Sequence, residues 1–301
     1  MGGTCAQRLA ERGYADVVLL DVVEGLAHGK ALDISQSLAV TKSDAQMIGT
    51  ASYEDVKGAS VVVVTSGVAR KPGMTREDLV LTNAKVVREV CENVVRVAPD
   101  AIIVMVTNPL DAMVQLALHV TGLGRTRVIG QSGVLDSARL RSFIAAELDV
   151  SVSSVSAHIL GGHGNTMVAL PRLSSVGGVP LTDMLSEERI NHLVQRAVNG
   201  GAEIVQLLKT GSAYYAPAAA AVSMVDAIVL DAGEILPCAI RLEGEYGIDG
   251  VVGVPVKLGG AGVEQVLELA LTQSERDALL RSAEAVRETI AMMGLQPPVE
   301  Y

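Results

Sequence analysis

A chain of 301 residues is long enough for one large or two medium domains, and 49% hydrophobic with 19% charged residues fits a globular protein with a sizeable core. Aromatics amount to 2%, with no Trp and one Phe, so that core must be aliphatic. The net charge of −10 argues against a nucleic-acid backbone or an anionic membrane as the main partner, and the three cysteines form no metal pattern and fit a reduced, cytoplasmic protein.

In chain order, residues 2–12 read as a helix. Residues 17–20 form a short apolar, β-branched strand that ends at Asp21. An acid at a strand end after a glycine-containing helix start matches the ribose-binding half of a dinucleotide fingerprint, and a carboxylate there favours NAD over NADP. The same Asp could instead cap the following turn. Of the G-x-G-x-x-G turn that should come first, only Gly2 is present, as its last glycine. The first strand and two glycines would precede Met1, so the natural chain is expected to carry roughly ten more residues. Residues 25–37 are helical in pattern, 46–50 a strand, 60–65 a strand buried on both faces, 76–97 a long helix and 101–106 another buried strand. This alternation predicts a doubly wound, Rossmann-type parallel sheet over residues 1–133, with ligands beyond the carboxyl ends of its strands.

The segments after those strand ends hold the polar chemistry. The loop from Thr65 to Arg76 carries Arg70, Lys71 and Arg76 with glycines and a proline, the composition of a lid that closes on a carboxylate; a solvated basic loop is the alternative. After residues 101–106 comes Thr107-Asn108-Pro109. Pro109 suits the first turn of a helix, and Asn108 is left at the strand end to meet a ligand or to cap that helix.

Residues 127–130 form a short strand, and from Val134 the pattern is helical, with Asp136 and Arg139 on one face. They form either a plain intrahelical ion pair or a divided pair, in which Arg139 binds a carboxylate and Asp136 orients a histidine. Residues 152–160 alternate as a strand running into Leu160-Gly-Gly-His163-Gly-Asn-Thr166. Glycines 161, 162 and 164 clear space around a residue whose ordinary pKa suits proton exchange near neutrality. His163 is therefore the candidate acid/base; a glycine-rich surface turn with an incidental histidine is the alternative. Helices follow at 187–208 and, alanine-rich, at 213–230; strand-like runs at 235–242 and 251–258 suggest a hairpin. A helix over 274–292 closes the chain before Pro297-Pro298, giving an α+β second domain over 134–301.

Together Val-Val-Leu-Leu-Asp21, Thr65-Ser-Gly, Ala-Arg70-Lys-Pro-Gly-Met-Thr-Arg76, Thr107-Asn-Pro, Val-Leu-Asp136-Ser-Ala-Arg139, Gly-Gly-His163-Gly and Gly211-Ser-Ala-Tyr-Tyr-Ala-Pro resemble the lactate/malate dehydrogenase family over essentially the whole chain. The resemblance implies that His163 exchanges the proton with the substrate oxygen, that Asp136 holds its ring, that Arg139 binds the C1 carboxylate and that Arg76 polarises the carbonyl. Asn108 would hydrogen-bond the substrate, and Gly2, Asp21, Gly67, Asn83, Thr107 and Asn108 would form the NAD site. No metal is implied. Arg70 stands where the malate-specific members carry an arginine for the second carboxylate and the lactate-specific members a glutamine. Ala213, in place of threonine, agrees with a dicarboxylate, malate or oxaloacetate. A lactate or other 2-hydroxyacid dehydrogenase, or an inactive dinucleotide-binding homologue, is the alternative. The resemblance also implies a homodimer or homotetramer. Asn165 departs from the family, which usually has Asp after Gly-His-Gly.

Overall fold

The computed structural model describes residues 1–23, 25–68 and 74–295. The expected end of order at Pro297-Pro298 lies outside them. Helix α1 (Gly2–Arg12) leads into β1 (Val17–Leu20), α2 (Leu26–Thr41) and β2 (Met47–Thr50). Then come β3 (Val61–Val64), α3 (Arg76–Val97), β4 (Ile102–Met105), α4 (Leu110–Thr121), β5 (Val128–Gly130) and α5 (Gly133–Leu148). Strands β3, β4 and β5 pair in parallel, as the alternation requires.

Strand β4 explains why the central strands read as unbroken apolar runs. Successive side chains point to opposite faces. Ile102 and Val104 join the core shared with Met224, Val225 and Ile228 and the C-terminal hairpin, whereas Ile103 and Met105 join the core under α3 and α4. With both faces covered, no position along β4 can be polar.

Strand β3 departs from the expected burial. Only Val64 is fully buried, and Val61, Val62 and Val63 are half-buried. The cause is in the pairing: β1 and β2 bond in parallel to each other, as a separate two-stranded sheet, and β3 is an edge of the larger sheet. A strand bonded on one side only leaves its other flank accessible.

The second half begins with short strands, β6 (Val155–Ser156), β7 (Ile159–Leu160), β8 (Val168–Ala169), β9 (Ser175–Val176) and β10 (Val179–Pro180), followed by the one-turn α6 (Leu181–Met184). The continuous strand expected over 152–160 is not formed. Residues Val152–Ser154 make a 3-10 turn, capped by the Ser151 hydroxyl, and β6 and β7 then pair with different partners, β9 and β8. Serines offer the backbone local hydrogen bonds that compete with a ladder.

Helices α7 (Glu187–Leu208) and α8 (Tyr215–Val229) precede β11 (Glu234–Glu243), β12 (Asp249–Gly259) and β13 (Gly262–Val266), and α9 (Gln273–Ala291) closes the described chain. Strands β11 and β12 form the expected hairpin. It joins the parallel sheet through β5, at Ala239 opposite Gly130, giving the order β13-β12-β11-β5-β4-β3. One sheet thus runs from the dinucleotide-type half into the second half.

The alanines of α8 serve close packing. Ala218 and Ala221 share a core with Cys5 of α1 and Val106. Asp226 of α8 accepts from Arg12 at 2.9 Å and from the Tyr14 hydroxyl at 2.6 Å, tying the first helix to the second half. Cys5, Cys91 and Cys238 are all buried and free, and no helix among the described residues is long and apolar enough to cross a membrane.

Candidate active site

Local chemistry fixes where each element starts. Helix α3 begins with a capping box: the Thr75 hydroxyl accepts from the Asp78 N–H and the Asp78 carboxylate accepts from the Thr75 N–H, each at 3.0 Å. That box sets Arg76 as the first helical residue. Pro109, which lacks an N–H, flanks α4 as the residue just before its first turn, one position earlier than expected, and is joined to Asn108 by a cis peptide bond. Helix α5 starts at Gly133 directly after β5, which puts Asp136 and Arg139 on its first two turns.

The His163 turn is tied to four elements. Gly161 exchanges backbone hydrogen bonds with Gly253 of β12, at 2.8 and 3.1 Å. The Gly162 N–H donates to the Ser282 hydroxyl of α9 at 2.8 Å. The His163 N–H donates to Asp111 Oδ2 of α4 at 2.9 Å. The ring Nδ1 lies 2.8 Å from Asp136 Oδ2 of α5. Glycine is required at position 161, where φ is +88° and a Cβ would sit 2.7 Å from the Ser282 hydroxyl oxygen.

Asp136 contacts both of the partners that the sequence left open. Its Oδ2 faces His163, and its Oδ1 takes Arg139 Nη1 at 3.3 Å. The three side chains are largely withdrawn from water, with exposures of 2% for Asp136, 13% for Arg139 and 14% for His163. Burial pushes the His163 pKa down. The charge and hydrogen bond of Asp136, with the charge of Asp111, outweigh burial and the opposing Arg139, and the net shift is upward. Burial lowers the Arg139 pKa, and Asp136 works against that. A guanidinium stays charged in either case. Gly200 of α7 lets that helix pass over the Arg139 stem, since a Cβ there would lie 3.2 Å from Arg139 Cδ.

His163 opens onto a pocket lined also by Arg76, Pro109, Asp111, Thr166 and Thr289. Arg76 reaches it by donating from Nη2 to the Thr289 hydroxyl of α9 at 2.6 Å. The pocket lies past the carboxyl ends of β3 and β4, where an open α/β sheet places its ligands. A roomier cavity lies at the opposite ends of these strands, lined by Gly58, Ser60, Pro99, Asp100, Ile102 and Gly260. Its polar side chains are one serine hydroxyl and one carboxylate, with no histidine or cation to activate them, and it is not the site of the chemistry.

The sequence-predicted cofactor residues divide into two kinds. Gly2 brings α1 against the strand ends: a Cβ there would lie 3.1 Å from the Thr65 hydroxyl oxygen and 3.8 Å from Leu19 Cδ1. Close helix-to-strand packing is what the last glycine of a dinucleotide fingerprint provides. Gly67, at φ +146°, has no room for a Cβ against Thr107 and Asn83. Asn83 is buried and bonds the Val68 N–H and C=O and the Asn108 C=O, while the Thr107 hydroxyl donates to the Ser66 C=O at 2.6 Å. These side chains clip the ends of β3 and β4 together. Asp21 follows β1 and spends Oδ1 on the Val23 N–H at 3.0 Å, the turn-capping role, with no described partner on its other oxygen. Asn108 is exposed, and its side-chain amide has no partner among the described residues. Asn165 is exposed on the turn. Arg70 lies outside the described residues.

Three residues that the sequence reading did not single out also shape the site: Asp111, Ser282 and Thr289. Asp111 carried one signal, the lone carboxylate in the first turn of a mostly apolar helix. Ser282 and Thr289 sit on a polar, amphipathic helix and carried none.

Residues 1–130 match the family model for the NAD binding domain of lactate/malate dehydrogenases, and residues 133–294 match that for their α/β C-terminal domain. These matches define an oxidoreductase built on an NAD-binding domain. The chain belongs to the lactate/malate dehydrogenase family. It is 51% identical over 294 residues to a malate dehydrogenase of Methanosarcina barkeri, covering 97% of this chain and 96% of that protein. Its fold superposes on the crystal structure of malate dehydrogenase from Cryptosporidium parvum with a TM-score of 0.95 at 40% identity, covering 97% of this chain and 95% of that one. A lactate dehydrogenase of the same organism, solved with lactic acid and nicotinamide adenine dinucleotide, gives a TM-score of 0.94 at 40% identity, covering 98% and 95%. Backbone shape therefore does not separate the two activities.

Proposed function

We propose that this chain catalyses the reversible NAD-dependent oxidation of (S)-malate to oxaloacetate. The observation that carries this reading is the His163 Nδ1–Asp136 Oδ2 pair, at 2.8 Å, on a pocket that also holds Arg76. The 51% identity to a malate dehydrogenase supports the choice of substrate.

With Nδ1–H donated to Asp136, Nε2 is the ring atom left for substrate. In the reductive direction the imidazolium donates its Nε2 proton to the oxygen of oxaloacetate; in the oxidative direction the neutral ring accepts the proton of the malate hydroxyl. Arg76 polarises the carbonyl and stabilises charge that develops on its oxygen. Arg139, braced by Asp136 and by the α7 backbone at Gly200, binds the C1 carboxylate through its planar fork. Arg70 is assigned to the second carboxylate, from its place in the sequence alone.

The cofactor supplies the hydride acceptor. Gly2 and Gly67 permit close approach at the strand ends, Asp21 takes the adenosine ribose, and Asn83 and Thr107 hold the strand ends that Asn108 extends toward the nicotinamide and substrate. The carboxylate of Asp21 favours NAD over NADP, because a 2′-phosphate would meet like charge. The three free, buried cysteines support a reducing, cytoplasmic location.

Oxaloacetate-dependent NADH oxidation, compared with pyruvate, tests the reading. A dicarboxylate site left with an unpaired cation should discriminate by roughly 10⁴ in kcat/KM. Equal values for the two substrates would assign the chain to the lactate type. Arg70→Gln should move the ratio toward pyruvate.

A further inference from the structure

Asp111 is the one buried carboxylate of the site that the mechanism above leaves without a task. It is 6% exposed and lies in the first turn of α4. Its Oδ2 accepts the His163 N–H at 2.9 Å, whereas its Oδ1 is buried without a hydrogen-bond partner among the described residues. A helix start alone does not explain such a residue. An acid in a first turn gains its dipole interaction equally well in water, and withdrawing a carboxylate from water with one oxygen unbonded is costly. Something must offset that cost, and the His163 ring is the cation whose charge acts on it.

We propose that Asp111 is a second positioning carboxylate: it fixes the main chain of His163 and, as a second anion beside Asp136, favours the imidazolium form that donates the proton. This rests on the reading of His163 as the proton-exchanging group. The charges around the ring support it. Asp111 faces His163 from α4, Asp136 and Arg139 face it from α5, and Arg76 lines the same pocket from α3. Helix α9 contributes Ala285, Val286 and Thr289 to the lining, none of them charged. Arg76 is exposed to solvent; the two carboxylates, one guanidinium and one imidazolium of the buried cluster sum to zero. If His163 loses its proton the cluster carries one uncompensated negative charge; if Asp111 is made neutral, it carries one uncompensated positive charge. A low-dielectric site resists both. The coupling is visible in both partners. The charge of Asp111 raises the His163 pKa. Burial pushes the Asp111 carboxyl up to about 6, against a downward pull from His163.

Asp111→Asn separates the two tasks, because its amide oxygen can still accept the His163 N–H while the charge is gone. For oxaloacetate reduction, kcat/KM of Asp111→Asn should stay within about twofold of wild type at pH 6 and fall about tenfold below it at pH 8, since an opposite charge at this range shifts a titration by a unit or more. Asp111→Glu should lie closer to wild type than Asp111→Asn does. An unchanged profile, or an equal loss at every pH, would leave Asp111 a purely structural residue and overturn the proposal.

A second measurement needs neither turnover nor an Asp111 variant. In protein with ¹³C-labelled aspartate, the Asp111 carboxyl resonance should titrate at a different pH once His163 is replaced by Gln, which keeps the backbone N–H but cannot carry charge. Titration of Asp111 that ignores His163→Gln would overturn the pairing. Coupling without any oxaloacetate reduction would instead keep the pairing and reject the substrate reading.

Discussion

His163 gains its properties from neighbours rather than from its own sequence context. With Asp136 and Asp111 beside it the imidazolium persists above the ordinary value of 6.5, because their charges outweigh burial. The sign follows. Protonation is favoured by folding, so the stability it contributes is present below 6.5 and is lost as pH rises through the raised value. Oxaloacetate reduction needs the imidazolium and should decline over that same rise; malate oxidation needs the neutral ring and should increase. Asp136→Asn removes the carboxylate that acts more strongly on the ring. Its kcat/KM for oxaloacetate should fall at least about a hundredfold, the usual scale of a lost acid/base function, with the alkaline limb displaced to lower pH. A steady-state pH profile checks this, and a limb that stays in place would remove Asp136 from control of the ring. At this level the sequence was informative where chemistry and spacing coincide. Asp136 and Arg139 share a helix face, and three glycines surround His163. It marked Asp111 only as an acid at a helix start, which has an ordinary explanation, and only the packing shows this one buried.

Elements hold the site by a small number of backbone contacts. The His163 turn depends on Gly161, whose positive φ and nearness to Ser282 exclude any side chain. Gly161→Ala should cost about 1–3 kcal/mol from backbone strain, with more from displacing Ser282 of α9, and it should lower kcat. Urea unfolding together with initial rates checks it; a variant as stable and active as wild type would show that the turn tolerates a side chain. Long helices such as α3 and α7 were legible because their apolar period extends over many turns and a cap marks the start. Residues 152–160 alternate like a strand yet split into a 3-10 turn and two short pairings. Alternation over so few residues cannot report which partner each one finds, and the serines supply competing local bonds.

Across the molecule, a single sheet links the two halves through β5 and β11, while β1 and β2 pair apart from it. The order of strands and helices foretold the parallel portion. The half-burial of Val61, Val62 and Val63 could not be foreseen, because it depends on which strands bond to β3 and not on how apolar they are. The surface carries large apolar side chains at Leu32 and Val40 of α2, which are 62% and 82% exposed, and at Leu207 and Tyr215 near α7 and α8, which are 75% and 65% exposed. A homodimer or homotetramer is the expected state, so light scattering should give at least twice the chain mass of 31.3 kDa. A monomer at micromolar concentration would contradict that.

The decisive comparison is oxaloacetate-dependent NADH oxidation by wild-type protein and by His163→Asn, measured near neutral pH with the fold of both checked by circular dichroism. The wild type should turn over, and the variant should lose about 10²- to 10⁴-fold in kcat/KM, the contribution of a positioned acid/base. A folded His163→Asn variant that retains activity within tenfold would mean that the proton comes from elsewhere and that the Asp136–His163 pair is not the acid/base of this reaction.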